Sequence, residues 1–304
     1  MVIPTRNRAA RLKALLDSLA AQAAPEFEVV VVDDGSTDAT ARVLAEPPMP
    51  VRAVRGPGRG PAAARNLGWR AARGRVVCFT DDDCRAAPGW VAALLDAVGG
   101  ADAMIAVGRT EPEPSDAGRQ SAYTRSNLVT GLNRDFHTCN IAYPRALLER
   151  LGWFDESFRH PAGEDTELAW RALESGAAPR FADGALVWHA VHDVGWAELV
   201  KRARWRTDVP RLVRRHPGLR HHMHRGIFWK REHALLAAAL IGIALGRFTR
   251  GASLALALPY VRFCRGLHGS YAGTLAHLPA QLAVDGAEVA ALVVASARER
   301  TLVI

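Results

Sequence analysis

The stretch Val76-Val77-Cys78-Phe79-Thr80-Asp81-Asp82-Asp83 decides how this chain is read. Its first five residues form a short apolar run of the kind a sheet buries on both faces. Three carboxylates follow without a break. Adjacent carboxylates at the end of a buried strand repel one another, and a fold tolerates them only when a cation lies between them. A divalent ion is the expected cation. Hard oxygen ligands favour Mg2+ or Mn2+ over zinc, and such ions hold a few carboxylates, some water and the phosphates of a substrate. The triplet therefore points to a metal-dependent phosphate-ester or nucleotide site. The other reading is a solvated acidic turn capping the helix that follows.

Outward from this point, short apolar runs alternate with helical periodicity, the pattern of βαβ units and a mainly parallel sheet. Upstream, Val2-Ile3 makes a brief first strand, and Leu12, Leu15, Leu16 and Leu19 form one apolar helical stripe. Residues 29–32, all valine, predict a strand buried on both faces. It ends, like the first stretch, in carboxylates, within Asp33-Asp34-Gly35-Ser36-Thr37-Asp38. Residues 51–54 suit a third strand, Gly56-Pro57-Gly58-Arg59-Gly60 a flexible loop, and Pro61 to Gly74 a helix opened by proline and closed by glycine. Downstream, Trp90, Val91, Leu94, Leu95 and Val98 predict a helix, and residues 103–107 a strand. Periodicity fades over 111–135, which reads as an excursion near a site. It returns at Asn140-Ile141-Ala142-Tyr143, and Gly163-Glu164-Asp165 looks like a helix start with acids in its first turn.

Composition narrows the class. The chain has 304 residues, enough for a large domain with an appendage, and 49% are apolar, enough for a proper core. The net charge of +8 comes mainly from arginine, part of a heavy Arg, Ala and Gly usage. Four scattered cysteines show no zinc or disulfide spacing, so a reducing cytoplasm is expected. No secretory leader is expected either.

The ordered set Val2-Ile3-Pro4-Thr5-Arg6-Asn7-Arg8, Val32-Asp33-Asp34-Gly35-Ser36-Thr37-Asp38, Ala64-Arg65-Asn66, Asp81-Asp82-Asp83 and Gly163-Glu164-Asp165 resembles a family 2 glycosyltransferase over roughly residues 1–195. The resemblance is to actinobacterial-type members with a C-terminal membrane-associated helical region. It implies an α/β GT-A fold with a mixed, mainly parallel sheet flanked by helices, a nucleotide-diphospho-sugar donor, Mg2+ or Mn2+, and transfer with inversion. It places Pro4, Thr5, Arg6, Asp34, Arg65, Asp81 and Asp82 on the donor, with Thr5 and Asp34 at the base or ribose. Asp83 is then the principal metal ligand, with Asp81 and His189 beside it, and Asp165 the general base. Glu164 orients the acceptor or a nearby helix, and Asn140 and Trp153 line the sugar and acceptor cleft. Taken singly, Thr5 and Asp34 also suit turns or caps, Arg65 a solvated helix, Glu164 and Asp165 first-turn charges, and His189 a packed residue. The first strand is shorter than the family's usual one, so either the start lies upstream or that edge of the sheet is weak.

The expected division is a catalytic domain at 1–195 and a basic, then apolar, helical region at 196–304. Between Lys201 and His233 stand eleven Lys and Arg, five His and two acids. The apolar runs 234–246 and 251–261 are each too short to cross a bilayer, which takes about 20 residues. Joined, they would bury Arg247 and Arg250. A hairpin dipping into one leaflet, or two surface helices, fits better, giving peripheral or re-entrant contact through 201–262 at the cytoplasmic face of the cell membrane. A soluble helical cap on the catalytic domain or on a dimer partner is the alternative, and a cytoplasmic location would go with it. An amphipathic helix around 282–297 could pack against either. No nucleic-acid partner is expected, because aromatics are not interleaved with the arginines. The acceptor is expected to be a glycan, a lipid-linked sugar or a small molecule. A metal-dependent nucleotidyltransferase or phosphohydrolase, and a non-catalytic membrane-bound scaffold that keeps the nucleotide site, are the competing functions.

Overall fold

Successive side chains of a strand point to opposite faces, which is why valine recurs four times at 29–32. Strands Val2–Thr5 (β1) and Val29–Asp33 (β2) pair in parallel, Ile3 opposite Val31. Ile3, Val29 and Val31 face one layer; Val2, Val30 and Val32 face the other. The first layer holds helices Ala9–Ala20 (α1) and Thr40–Ala45 (α2), and the apolar stripe of α1 is buried at Leu12, Leu15, Leu16 and Leu19 as its spacing predicts. The opposite layer contains helix Pro61–Ala71 (α3), whose Gly68 packs so close to β1 that a Cβ would stand 2.3 Å from Val2.

The computed structural model describes the whole chain except Ala24, Pro25, Pro57, Gln120, Arg159 and Pro161, so Pro57 of the expected glycine-rich loop lies outside the described residues. The remaining strands are Val51–Arg55 (β3), Val76–Thr80 (β4), Cys84–Ala86 (β5), Met104–Pro112 (β6), Thr124–Arg125 (β7), Asn140–Pro144 (β8), Ala178–His189 (β9) and His192–Asp193 (β10). The main sheet runs β3-β2-β1-β4-β8-β6-β9-β5. Its first four strands are parallel. Strand β8 is antiparallel to β4 and β6, β9 is parallel to β6, and β5 is antiparallel to β9. Helix Trp90–Val98 (α4) joins α1 on one face; Arg145–Leu151 (α5) and Glu164–Glu174 (α6) join α3 on the other.

Several boundaries differ from the sequence reading. Strand β1 is not at an edge but between β2 and β4, its short length offset by partners on both sides. Helix α3 stops at Ala71 rather than running to Gly74, because Ala72 is extended and Arg52 and Arg145 take the carbonyls of Ala71 and Ala72. Strand β6 extends to Pro112, paired with twelve-residue β9 through a register shift at Gly108/Arg109. A side chain at Gly108 would strike the Asn140 amide at 2.2 Å, so only glycine fits there.

The chain forms two compact units, Met1–Gly118 with Ser126–Val191, and Arg119–Arg125 with His192–Ile304. The excursion after β6 thus contributes β7, which pairs with β10, to the second unit. That unit is otherwise helical: Gly195–Arg202 (α7), Val209–Arg215 (α8), Arg231–Leu245 (α9), Leu258–His268 (α10) and Tyr271–Glu299 (α11), the last longer than the 282–297 expected.

Candidate active site

The loops leaving β1 and β2 are latched together. Thr37 donates its amide to Asn7 Oδ1 at 2.7 Å, Asn7 donates its own to Ser36 Oγ at 2.9 Å, and Asp38 accepts the first amide of α1, from Ala9, at 3.0 Å. Asn7 has a φ of 55°, a left-handed conformation that asparagine tolerates better than most residues. This latch sets Thr5 and Arg8 against the end of β4.

Arginines supply the cations that the Asp triplet requires. Arg8 Nη1 donates to Asp82 Oδ1 at 3.0 Å and to Asp83 Oδ2 at 2.5 Å, and the Thr5 hydroxyl donates to Asp82 Oδ2 at 2.7 Å. Asp81 pairs with Arg65 Nη2 at 2.9 Å. Burial, with Asp83's charge adding to it, pushes the Asp82 carboxyl up to about 6 against the pull of Arg8 and Thr5. Thr5 and Asp82 are thus turned inward on each other. Asp34 is also buried, and its two oxygens accept the amides of Gly58 and Gly60 at 2.8 Å each, so its carboxylate holds the glycine loop. Pro4 is half-buried within β1, and Arg6 is exposed.

Arg65 crosses to α6. It is fully buried, and its Nη1 donates to Glu164 Oε1 at 2.8 Å, completing a chain Asp81–Arg65–Glu164. Gly163, at a φ of 99°, turns the backbone into α6 so that Glu164 and its neighbour Asp165 diverge. Burial and the Asp165 charge push the Glu164 carboxyl up to about 7 despite Arg65. Asp165 goes the other way: burial opposes its charge, but His137, Arg65 and the Thr166 amide outweigh burial and hold it below the ordinary carboxylate range. His137 Nδ1 stands 3.7 Å from Asp165 Oδ2, and its Nε2 stands 4.0 Å from Asp135. Burial disfavours the imidazolium, yet the surrounding carboxylates raise its pKa. Neither His137 nor the role of Arg8 was read from the sequence. Arg8 lies inside the first quoted motif and was the available cation; nothing local marks His137.

His189, at the end of β9, brings a third element to Asp83. Its Nδ1 lies 2.9 Å from the Ala190 carbonyl, which can only accept, so Nδ1 donates there and Nε2 is the nitrogen turned toward Asp83. The distance from His189 Nε2 to Asp83 Oδ1 is 3.6 Å. A ring nitrogen and a carboxylate oxygen this close together are a fit donor pair for Mn2+ or Mg2+. Cys84 Sγ lies within 4.8 Å of both ligand atoms, but burial first, then nearby charge, raises its thiol well above the ordinary value, and it points to the Cys139 carbonyl at 3.8 Å.

Two further expected residues are placed elsewhere. The Asn140 side chain accepts from the Trp90 indole at 2.8 Å and donates to the Arg109 and Ala185 carbonyls, so it is a core strut with its amide spent. Trp153 lies under the Arg70 guanidinium, 3.8 Å from its ring centre, and lines a hollow with Asp155, Glu167 and Arg171 rather than with the triplet.

The family model described as glycosyl transferase family 2 matches residues 1–157. The chain belongs to glycosyl transferase family 2. Validoxylamine A glucosyltransferase of Streptomyces hygroscopicus subsp. jinggangensis is 32% identical to it over 259 residues, covering 72% of this chain and 61% of that protein. Chondroitin synthase of Escherichia coli is 28% identical over 233 residues, covering 62% of this chain and 34% of that protein. This family 2 chain therefore spans less than two thirds of the length of either relative. A mannosyltransferase of Pyrobaculum calidifontis, solved with GDP-Man and Mn2+, shares its fold at a TM-score of 0.60 and 23% identity, over 96% of this chain and 85% of that one. The α/β GT-A fold, with its mixed sheet flanked by helices and its C-terminal helical extension, is thereby established.

Proposed function

We propose that this family 2 glycosyl transferase moves a sugar from a nucleotide-diphosphate donor to a hydroxyl acceptor with inversion. The observation that carries the reading is the separation of two kinds of carboxylate. Asp83 faces His189 with ligand geometry, whereas Asp165 faces His137 and is kept ionised. An ionised carboxylate suits a base: it takes the proton of the acceptor hydroxyl as that oxygen bonds to the anomeric carbon. The bond from that carbon to the diphosphate breaks, and its electron pair leaves with the diphosphate. Asp83 and His189, with Asp81 nearby, would hold Mn2+ or Mg2+, which supplies Lewis-acid charge for the departing diphosphate. Pro4, Thr5, Arg6, Asp34, Arg65, Asp81 and Asp82 border the donor, with Thr5 and Asp34 acting by shaping the loops around it.

Residues 1–195 form the catalytic domain in this reading and 196–304 a helical region. Residues 201–262 make peripheral contact at the cytoplasmic face of the cell membrane, which suits a lipid-linked or other cell-envelope glycan acceptor. The Streptomyces relative supports an actinobacterial-type member.

The test is Asp165→Asn. Transfer is expected to be lost while a matching UDP-, GDP- or dTDP-sugar with Mn2+ still raises the melting temperature, since a ligand bound only to the native state stabilises it. Retained transfer refutes the base assignment, and phosphoester cleavage unaffected by the substitution favours a nucleotidyltransferase or phosphohydrolase. If no nucleotide sugar stabilises the wild type, the chain is a scaffold.

A further inference from the structure

Helix α11, at 29 residues, is long and apolar enough to cross a bilayer. Its interior argues against that. Glu288 is buried and accepts from Lys230 at 2.7 Å, Arg206 at 3.2 Å and His233 Nε2 at 3.2 Å, while Asp285 accepts from the Tyr260 hydroxyl at 2.8 Å and Gln281 at 2.9 Å. These bonds make α11 the spine of the second unit, and crossing would break all of them.

The apolar surface lies elsewhere. Between residues 240 and 258 eight large apolar side chains are exposed, among them Leu240 (55%), Ile241 (55%), Ile243 (60%) and Phe248 (68%). This segment folds as a tight hairpin. Gly242 in α9 packs against Ser253, where a Cβ would come within 2.4 Å of the Ser253 carbonyl. Its polar groups are satisfied from within: Ser253 donates its hydroxyl to the Gly242 carbonyl at 2.7 Å, and Thr249 donates to Leu245 at 3.1 Å. The amides of Gly246, Phe248, Thr249, Gly251 and Ala252 bond inside the turn. A turn with its backbone paired inward and its leucines outward is the reverse of a water-facing loop, and it is what a low-dielectric surround requires. Charge points the same way. From His233 to Val284 the sequence has no acid and four arginines, Arg247, Arg250, Arg262 and Arg265.

We propose that the hairpin of the C-terminal half of α9 and residues 246–258 lies in the plane of a bilayer leaflet rich in acidic phospholipid. Its leucines and isoleucines enter the acyl boundary, and Arg247 and Arg250 extend back to the lipid phosphates. The inference rests on the membrane contact proposed above and assigns it a segment and a lipid chemistry.

The experiment is co-sedimentation of the full chain with vesicles of phosphatidylcholine, with and without phosphatidylglycerol. The wild type is expected to bind the acidic vesicles at least about tenfold more tightly than the neutral ones, less so in high salt. The triple variant Leu240→Ser, Ile241→Ser, Phe248→Ser should lose that binding with its melting temperature retained. A separate Phe248→Trp variant should show a blue-shifted emission on acidic vesicles, quenched by brominated acyl chains, and it decides the matter if the triple variant does not fold. A wild type that binds neither vesicle overturns the membrane contact itself. A triple variant that binds like the wild type, or an unquenched Phe248→Trp, overturns the hairpin assignment alone. A triple variant that converts a dimer to a monomer without changing vesicle binding assigns the surface to a second copy instead.

Discussion

Replacing Arg65 with methionine keeps the volume of the side-chain stem and removes the charge that joins Asp81 to Glu164. The two partners respond differently. The Asp81 side chain is 26% exposed and regains water, so its arm of the bridge is worth at most about 1 kcal/mol. The Glu164 side chain is 3% exposed and does not. Leaving a buried charge alone costs about 3–5 kcal/mol, and Glu164 can limit that cost only by taking a proton. Its carboxyl already stands at about 7 through burial and the Asp165 charge, and loss of Arg65 moves it further up. A carboxyl whose folded pKa is raised contributes stability that is present below its unfolded value, about 4.3, and is lost as pH rises through the folded value. Below pH 7 Glu164 is protonated in both proteins, and the variant's deficit is about 1 kcal/mol, from Asp81. Above it the deficit grows by up to about 1.4 kcal/mol per pH unit, reaching roughly 3 kcal/mol at about pH 9. In melting temperature that is roughly 2–4 °C at low pH and 6–12 °C at high pH. Thermal unfolding of both proteins at pH 6 and pH 9 measures it, and Glu164→Gln in the Arg65→Met background should abolish the pH dependence. A deficit that is the same at both pH values, or absent, refutes the assignment of Arg65 as a buried strut.

Other outcomes follow from the same geometry. His189→Ala and Asp83→Asn should each weaken Mn2+ binding, read by the paramagnetic resonance of free Mn2+, by at least about tenfold, whereas Asp165→Asn should leave it unchanged. Thr5→Val removes the donor to the buried Asp82 and should cost about 1–3 kcal/mol in urea unfolding. Asn140→Ala strands the Trp90 indole N–H in the core and should cost a similar amount, with no selective effect on donor binding. In the second unit burial opposes the Glu288 charge, but His233, Arg206 and Lys230 outweigh it and hold the carboxyl far below its ordinary range. The stability it gives is therefore present above about pH 4.3 and lost as pH falls, and Glu288→Gln should destabilise at pH 7 with a deficit that closes in acid.

Much of the architecture is legible because it is periodic. The four valines of β2, the leucine stripe of α1 and the Val76–Thr80 run each carry the spacing of the element they form, and the carboxylates after them mark strand ends. Boundaries set by distant partners are not legible. The extension of β6 to Pro112 depends on β9, some seventy residues later, and the stop of α3 depends on Arg145. The candidate site divides in the same way. Asp83 faces His189 and Asp165 faces His137, and the two acids lie in motifs visible in the chain. Asn140 lies in an equally suggestive place, but its three bonds to Trp90, Arg109 and Ala185 come from other elements and leave it nothing to offer a ligand. The Asp triplet predicts a cation, with a divalent metal the expected one; Arg8 and Arg65 neutralise much of its charge, and the pairing of charges across a fold leaves no trace in spacing.

The Cys84 thiol beside Asp83 and His189 gives the site a soft third donor. Mn2+ and Mg2+ have little affinity for sulfur, so for them the thiol stays protonated and the site offers one oxygen and one nitrogen. Zinc or cadmium can displace the thiol proton, and for them the same place is a three-donor trap of mixed oxygen, nitrogen and sulfur. Trace zinc would then compete with Mn2+ and be relieved by chelator and re-addition of Mn2+, and Cys84→Ser, which leaves Asp83 and His189 in place, would weaken that competition.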